Sequence, residues 1–287
     1  MMGLKRFRPK RQPELRKYVI GGVEILLTPD HQLPKYQSKH ALYDRFLPIL
    51  ASILPDDGSW IIDVGANVGD TAVALAQNCK NPILSVEGDP EFYSLLQQNI
   101  QHLERRVTPV QALVGTGRIA GNLVQDGTTA RRKESGNAPT ISLDEVIKTH
   151  ALGTVSLLKT DTDGYDADII RSAPGMLEAS RPLIFWENEF QSKDQLDELE
   201  SGYGFLSSLG YEKIWIFDNF GFPILIGVGF DALRQLNSYV HAMMVMKAPQ
   251  TIFYTDVLAA TPENEHLAIE AISKYRGLLG DTYGREG

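Results

Sequence analysis

Residues 60–75 read WIIDVGANVGDTAVAL, and this stretch decides the architecture. An apolar run of strand character enters a turn marked by Gly65 and Gly69, then leaves through a helix-forming segment that begins at Asp70. Glycines at such a turn allow a tight reversal and close approach of the backbone to a ligand. A dinucleotide site wants G-x-G-x-x-G, but here Asn67 and Asp70 stand where the second and third glycines would be. A diphosphate would rest on the helix N-terminus, where Asp70 repels it, and Asp63 adds a second negative charge at the strand end. A positively charged ligand suits this turn better. S-adenosylmethionine, with a sulfonium, an ammonium, ribose hydroxyls and an adenine, meets that requirement. Glu87 ends the next strand and is placed to accept hydrogen bonds from both ribose hydroxyls. Asp89 follows it, and Gly88, Ala112 and Asp161 complete the expected cofactor set. The alternative is that the acids only cap helices, which Asp70 and Asp89 could both do.

Outward from the turn, strands and helices alternate. Strands are expected at 60–64, 83–87, 107–114, 155–160 and 182–186, and a hairpin over 212–227 turns at 219–221. Helices are expected from Asp70, from Pro90, after Ser142 (with Glu145 completing a capping box), over 167–177 and, with a glycine break, over 195–210. Upstream, YVIGGVEILLTPD reads as a hairpin broken at Gly21-Gly22. SKHALYDRFLPILASIL reads as one helix carrying Leu42, Phe46, Ile49, Leu50 and Ile53 on a face. Residues 115–139 are rich in Gly, Thr, Arg and Asn and read as a long loop with a hairpin in it. The tail shows helical signals at 231–241 and 262–279. Alternation of this kind predicts a doubly wound α/β fold around a mostly parallel sheet.

Four blocks, IIDVGANVGDTAVALA, VEGDPEFYSLLQQNI, TISLDEVI and LLKTDTDGYDADIIRSAPGML, come in an order and spacing that resemble the FkbM-type S-adenosylmethionine-dependent methyltransferase family. The resemblance covers roughly residues 58–230. In the fourth block Asp163 and Asp166 replace the acids usual there, with a shorter reach at Asp163. The resemblance implies a class I methyltransferase sheet of seven strands in the order 3-2-1-4-5-7-6, one of them antiparallel. It also implies O-methylation, often of sugars or natural products.

An aliphatic hydroxyl is a poor nucleophile, so the chemistry needs a base or a metal. Ligands on open parallel sheets gather at the carboxyl ends of the strands. Asp161 and Asp163 follow one strand there, and Glu187, Asn188 and Glu189 follow its expected neighbour. Asp161, Glu187 and Asn188 offer hard oxygen ligands that suit Mg²⁺ or Ca²⁺. Without a metal the same carboxylates raise one another's pKa, and one can act as general base. The catalytic candidates are Asp161, Lys159, Asp163 and Glu187, with Lys159 tuning a carboxyl or orienting the acceptor; a structural ion pair of Lys159 with Asp161 is the alternative. His40 is a further candidate base. Trp186, Trp215 and Phe217 alternate as core residues do, whereas Tyr165 and Phe220 sit at loop positions suited to an acceptor platform. Arg118, Arg131 and Arg132 in the long loop could close over an acceptor or bind an anionic one.

The chain has 287 residues, 43% hydrophobic and 22% charged, with a net charge of −8. That balance fits a folded globular domain and argues against nucleic-acid binding. A basic cluster, Lys5, Arg6, Arg8, Lys10, Arg11, Arg16 and Lys17, reads as a solvated tail or a contact for an anionic surface. One cysteine, Cys79, excludes an intrachain disulfide. No run reaches the roughly 20 apolar residues of a membrane span, so a cytoplasmic protein is expected. The domain reading is a cap at 1–55, a methyltransferase domain at 56–230, and a helical segment at 231–287 that packs on the sheet or forms a homodimer contact. The rival functions are an NAD-dependent oxidoreductase and a non-catalytic binding module of this fold.

Overall fold

The computed structural model describes residues 14–283 except 21, 104–105, 118–121, 127–128 and 134–138; for 122–126, 129–133, 279 and 281–283 it describes backbone alone. Eight strands pair into one sheet. They are β1 (Trp60–Val64), β2 (Ile83–Glu87), β3 (Val107–Gln111), β4 (Val155–Thr160), β5 (Leu183–Asn188), β6 (Lys213–Asp218), β7 (Pro223–Val228) and β8 (Thr255–Ala260). Across the sheet they lie in the order β7-β6-β8-β5-β4-β1-β2-β3. The five strands from β3 to β5 are parallel. β8 runs antiparallel to both β5 and β6, and β7 antiparallel to β6.

Among the described residues ten α-helices accompany the sheet: α1 (Leu33–Lys39), α2 (Phe46–Ala51), α3 (Asp70–Asn78), α4 (Pro90–Ile100), α5 (Leu143–Thr149), α6 (Asp166–Arg171), α7 (Pro174–Ser180), α8 (Lys193–Ser208), α9 (Phe230–Val245) and α10 (Glu265–Tyr283). The strands are apolar on both faces because both faces are covered. Ile62, Val64, Leu84, Leu158 and Trp186 pack with residues of α5 to α9 on one side. Their neighbours Ile61, Ile83, Leu157 and Phe185 pack with residues of α2, α3 and α10 on the other. This two-residue alternation is the pleat of the strands read through their side chains.

Two expectations about the sheet need correction. Among the described residues it has eight strands rather than seven, and two antiparallel strands rather than one. The segment 231–287 carries helices where they were expected, α9 and α10, but between them it also contributes β8, which fills the gap between β5 and β6 and bonds to both. The hairpin strand β7 is instead an added edge.

The expected helix over 38–54 is also interrupted. α1 ends at Lys39, and α2 begins only at Phe46, after a turn in which Asp44 adopts φ +58°. The break turns Tyr43 and Asp44 toward the sheet's carboxyl edge. α8, in contrast, passes through Gly202 and Gly204 without the expected break. A Cβ on Gly202 would lie 3.2 Å from Ala167 Cβ, so the glycine lets α8 lie against α6.

Arg16–Ile20 and Val23–Leu27 form the expected N-terminal hairpin, whose Ile20, Ile25 and Leu27 pack on Val68 and Phe92. Asn99 of α4 clasps it: its side chain exchanges hydrogen bonds with Leu26 N–H and C=O (2.7 and 3.0 Å) and donates to Val68 C=O (2.8 Å). In the long loop, Asn122–Asp126 and Thr129–Lys133 pair as a hairpin; the loop arginines' side chains and basic residues 5–11 lie outside the described residues. Among the described residues, no helix is long and apolar enough to cross a membrane.

Candidate active site

A cavity of about 690 Å³ opens at the carboxyl ends of β1, β2, β4 and β5 and is roofed by the α1–α2 segment. The glycine turn shapes its floor. Gly65 (φ +75°) passes so close to β4 that a Cβ there would stand 1.9 Å from Asp161 C=O. Gly69 (φ +86°) is covered by Leu96, which a Cβ would meet at 2.6 Å. Both glycines are therefore required, but only Gly65 reaches the cavity wall.

Glu87 lines the cavity and closes the turn. Its two carboxylate oxygens accept from Asn67 N–H (2.8 Å) and Asp89 N–H (2.7 Å), which leaves each oxygen a lone pair for a ligand. Burial holds its carboxyl above the usual range, against those two backbone donors. Asp89 itself caps α4, accepting from Glu91 N–H and Phe92 N–H, and lies off the wall. Asn67, Asp70, Gly88 and Ala112 do line the cavity.

Asp63, expected to face the cofactor, is fully buried beneath the turn and pairs with Lys159 Nζ at 2.9 Å. Lys159 also donates to Gly65 C=O (3.1 Å) and lies 3.6 Å from Asp161. Burial alone would lower the lysine pKa, but Asp63 and Asp161 outweigh it and hold the ammonium protonated. Lys159 thus ties three parts of the floor together, and its charge is already shared between two carboxylates.

Asp161 projects into the cavity with its side chain 52% exposed. Asp163 and Glu187 join it on the wall, and Glu189 extends the row. Asn188, proposed above as a metal ligand with Asp161 and Glu187, is not there. The strand's alternation sends it to the opposite face, where it bonds Asn237, Thr255 and Tyr203 in the core. The carboxylate oxygens that do converge, within 4.8 Å of one another, are those of Asp163, Glu187 and Glu189.

The α1–α2 segment supplies residues that the sequence did not single out. Asp44, Tyr36 and Tyr43 line the cavity beside His40, which stacks on Phe220 at 4.0 Å. Phe253 and Tyr254, just before β8, close the far wall. The clustering perturbs the acids. Burial and then Asp70 and Asp161 push Asp44 well above the carboxylate range; burial and then Asp161 do the same to Glu187. Asp70 is raised to about 6, chiefly by burial. Such a set of mutually raised carboxyls beside a glycine turn marks a ligand site.

A family description, "Methyltransferase FkbM domain", matches residues 63–213. The chain belongs to the FkbM methyltransferase family. The matched part of this S-adenosylmethionine-dependent FkbM methyltransferase runs from Asp63 to the first residue of β6, so the α1–α2 roof and β8 lie outside it. No curated protein matches the chain significantly. Among solved structures, an O-methyltransferase from Bacillus cereus in complex with SAH is similar at 14% identity and TM-score 0.45, over 76% of this chain and 80% of that one. A precorrin-6y C5,15-methyltransferase from Geobacter metallireducens shares 12% identity at TM-score 0.41, over 75% and 86%. A methyltransferase FkbM from Methylobacillus flagellatus shares 14% at TM-score 0.38, over 60% of this chain and 52% of that one.

Proposed function

We propose that this FkbM methyltransferase transfers the methyl group of S-adenosylmethionine to a hydroxyl of a sugar, glycan or secondary metabolite. The observation that carries the cofactor is the sign of charge along the turn. Asp70 lines the cavity in the first turn of α3, with Glu87 and Asp161 around it. A cationic sulfonium is attracted there and a diphosphate repelled. Glu87 has the reach and the lone pairs to hold a ribose diol, while Gly65 and Asn67 bring backbone close to the ligand. When bound, the cofactor supplies a methyl carbon on a positively charged sulfur, which leaves as a neutral thioether.

The remaining work falls to the chain. Displacement is in line, so the acceptor oxygen must be held opposite the sulfur, and positioning supplies much of the rate. Asp161, at the open end of the cavity, accepts the hydroxyl proton as the new C–O bond forms and the S–C bond breaks. Lys159 keeps Asp161 and the turn in register. Asp163 and Glu187 flank the acceptor, and Tyr165 and Phe220 offer it apolar faces. The test is calorimetry with S-adenosylmethionine, S-adenosylhomocysteine and NAD, followed by incubation with labelled methyl donor and a metabolite extract. Binding of the first two and a labelled O-methyl product are expected; binding of NAD alone overturns the reading.

A further inference from the structure

The acceptor half of the cavity holds more carboxyl groups than basic side chains to balance them. We propose that the acceptor carries a positive charge, an amine or guanidinium seated between the aromatic roof and the carboxylates that end β4 and β5. This rests on the methyltransferase reading above and narrows it to one class of substrate.

Four observations converge. The roof and rim are aromatic: Tyr36 stacks on Tyr43 at 5.7 Å, His40 on Phe220 at 4.0 Å, and Tyr36 and Phe253 stand 47% and 57% exposed at the mouth. Facing them, Asp163, Glu187 and Glu189 bring their carboxylate oxygens within 4.8 Å of one another, and Asp44 descends from the roof. Glu187 Oε2 is enclosed and has no hydrogen-bond partner. Lys159 is the one lysine or arginine among the described lining residues, and Asp63 and Asp161 already hold its ammonium. The methyl donor brings only one net positive charge, and the acids around the glycine turn lie close to it.

Enclosed carboxylates without a counter-charge are costly, and a ligand cation removes that cost. Aromatic faces attract the same cation through their quadrupoles. A neutral sugar would use the rings and could donate hydroxyl hydrogen bonds to the carboxylates, but it would bring no counter-charge; an anionic acceptor would be repelled. The held ammonium has no lone pair and is not the nucleophile. It anchors the molecule while a hydroxyl elsewhere on it loses its proton to Asp161 and gains the methyl group.

Two matched probe sets test this on the full chain saturated with S-adenosylhomocysteine. One set is tyramine, 2-(4-hydroxyphenyl)ethanol and 4-hydroxyphenylacetate; the other is glucosamine, glucose and glucuronate. Binding is followed by ligand-observed NMR in metal-free buffer, with and without magnesium chloride. The cationic member of at least one set is expected to bind about tenfold tighter than its partners. The preference should shrink as salt is raised. It should fall severalfold in Glu189→Gln and in Asp163→Asn, where Asn tolerates the positive φ of that site. Equal or tighter binding of the neutral or anionic members overturns the proposal, as does no cation binding at roughly 10 mM. So does tight Mg²⁺ binding that abolishes the preference, since the carboxylates would then form a metal site. If S-adenosylhomocysteine itself does not bind, the cofactor reading fails instead, and the probe sets are compared on the chain alone.

Discussion

Gly65 shows how one residue can carry a site. Its φ of +75° is open to glycine, and the space beside it is closed by Asp161 C=O. Alanine there adds strain and a backbone clash together, so Gly65→Ala should cost about 3 kcal/mol of stability. The measurement is a denaturant titration, and an unchanged midpoint would mean that β1 and β4 can separate at no cost. Asp161 supplies the complementary case. Its backbone N–H donates to Val64 C=O at 3.1 Å, so its place is set by main chain and survives a change of side chain. Asp161→Asn keeps the shape and removes the proton acceptor. Turnover should fall at least about 100-fold, while affinity for S-adenosylhomocysteine stays within about tenfold; unaltered turnover would take Asp161 out of the chemistry.

Among the elements, β8 contributes most for the least sequence signal. It pairs with β5 from Asn188↔Thr255 back to Ile184↔Ala259, and with β6 along its whole length. A chain ending at residue 250 keeps the whole segment matched by the family, yet it leaves two long strand edges bare. Such a chain should show no cooperative unfolding transition and should aggregate; a sharp calorimetric transition would contradict this. The clasp at Asn99 acts on a smaller scale. Removing it in Asn99→Ala leaves buried backbone groups of Leu26 and Val68 without their partner, at a cost of about 2 kcal/mol. Because Val68 belongs to the glycine turn, cofactor affinity should weaken too, and calorimetry on the variant checks both.

These elements also show what was legible in the sequence. Strands β1, β2, β4 and β5 carry largely apolar runs with acids at or near their carboxyl ends, so their positions and the wall acids Glu87, Asp161 and Glu187 could be read directly, whereas Asp63 proved to be buried beneath the turn. β8 reads TDVLAA, half of it residues that favour helices or turns, and only its two neighbours make it a strand. The break before α2 depends on Asp44 taking a left-handed conformation, which helical spacing on either side conceals. Asp44 in the roof was missed for that reason. Asn188 misled because a row of acids and amides at a strand end looks like a ligand set until alternation assigns each residue a face.

At the scale of the whole molecule, the acids crowded at one edge of the sheet should tie stability to pH in an unusual direction. Burial raises Asp70 to about 6 and Asp166 to about 7, from 3.8. Asp44, Glu187 and Asp256 are raised as well, with Asp161 prominent among the like charges that face all three and only Lys159 and Arg45 opposing at Asp44. A carboxyl whose pKa is higher in the folded state binds its proton more tightly there. Its contribution is complete below the unfolded value of 3.8 and is lost as pH rises through the folded values of about 6 and 7. Asp30, Asp57 and Glu263 are lowered instead and act in the opposite sense at more acid pH; His31, lowered by burial, opposes within the window as a single group against these five carboxyls. The melting temperature should therefore fall between about pH 5 and about pH 8. A bound cation favours the ionised carboxylates, so saturating S-adenosylmethionine should raise the melting temperature more at the upper end of that range. Scanning calorimetry at both pH values, with and without the cofactor, measures the two effects together. A melting temperature that rises with pH in the free protein would show that these carboxyls are ionised and solvated, and that the edge of the sheet holds far less negative charge in low dielectric than its geometry implies.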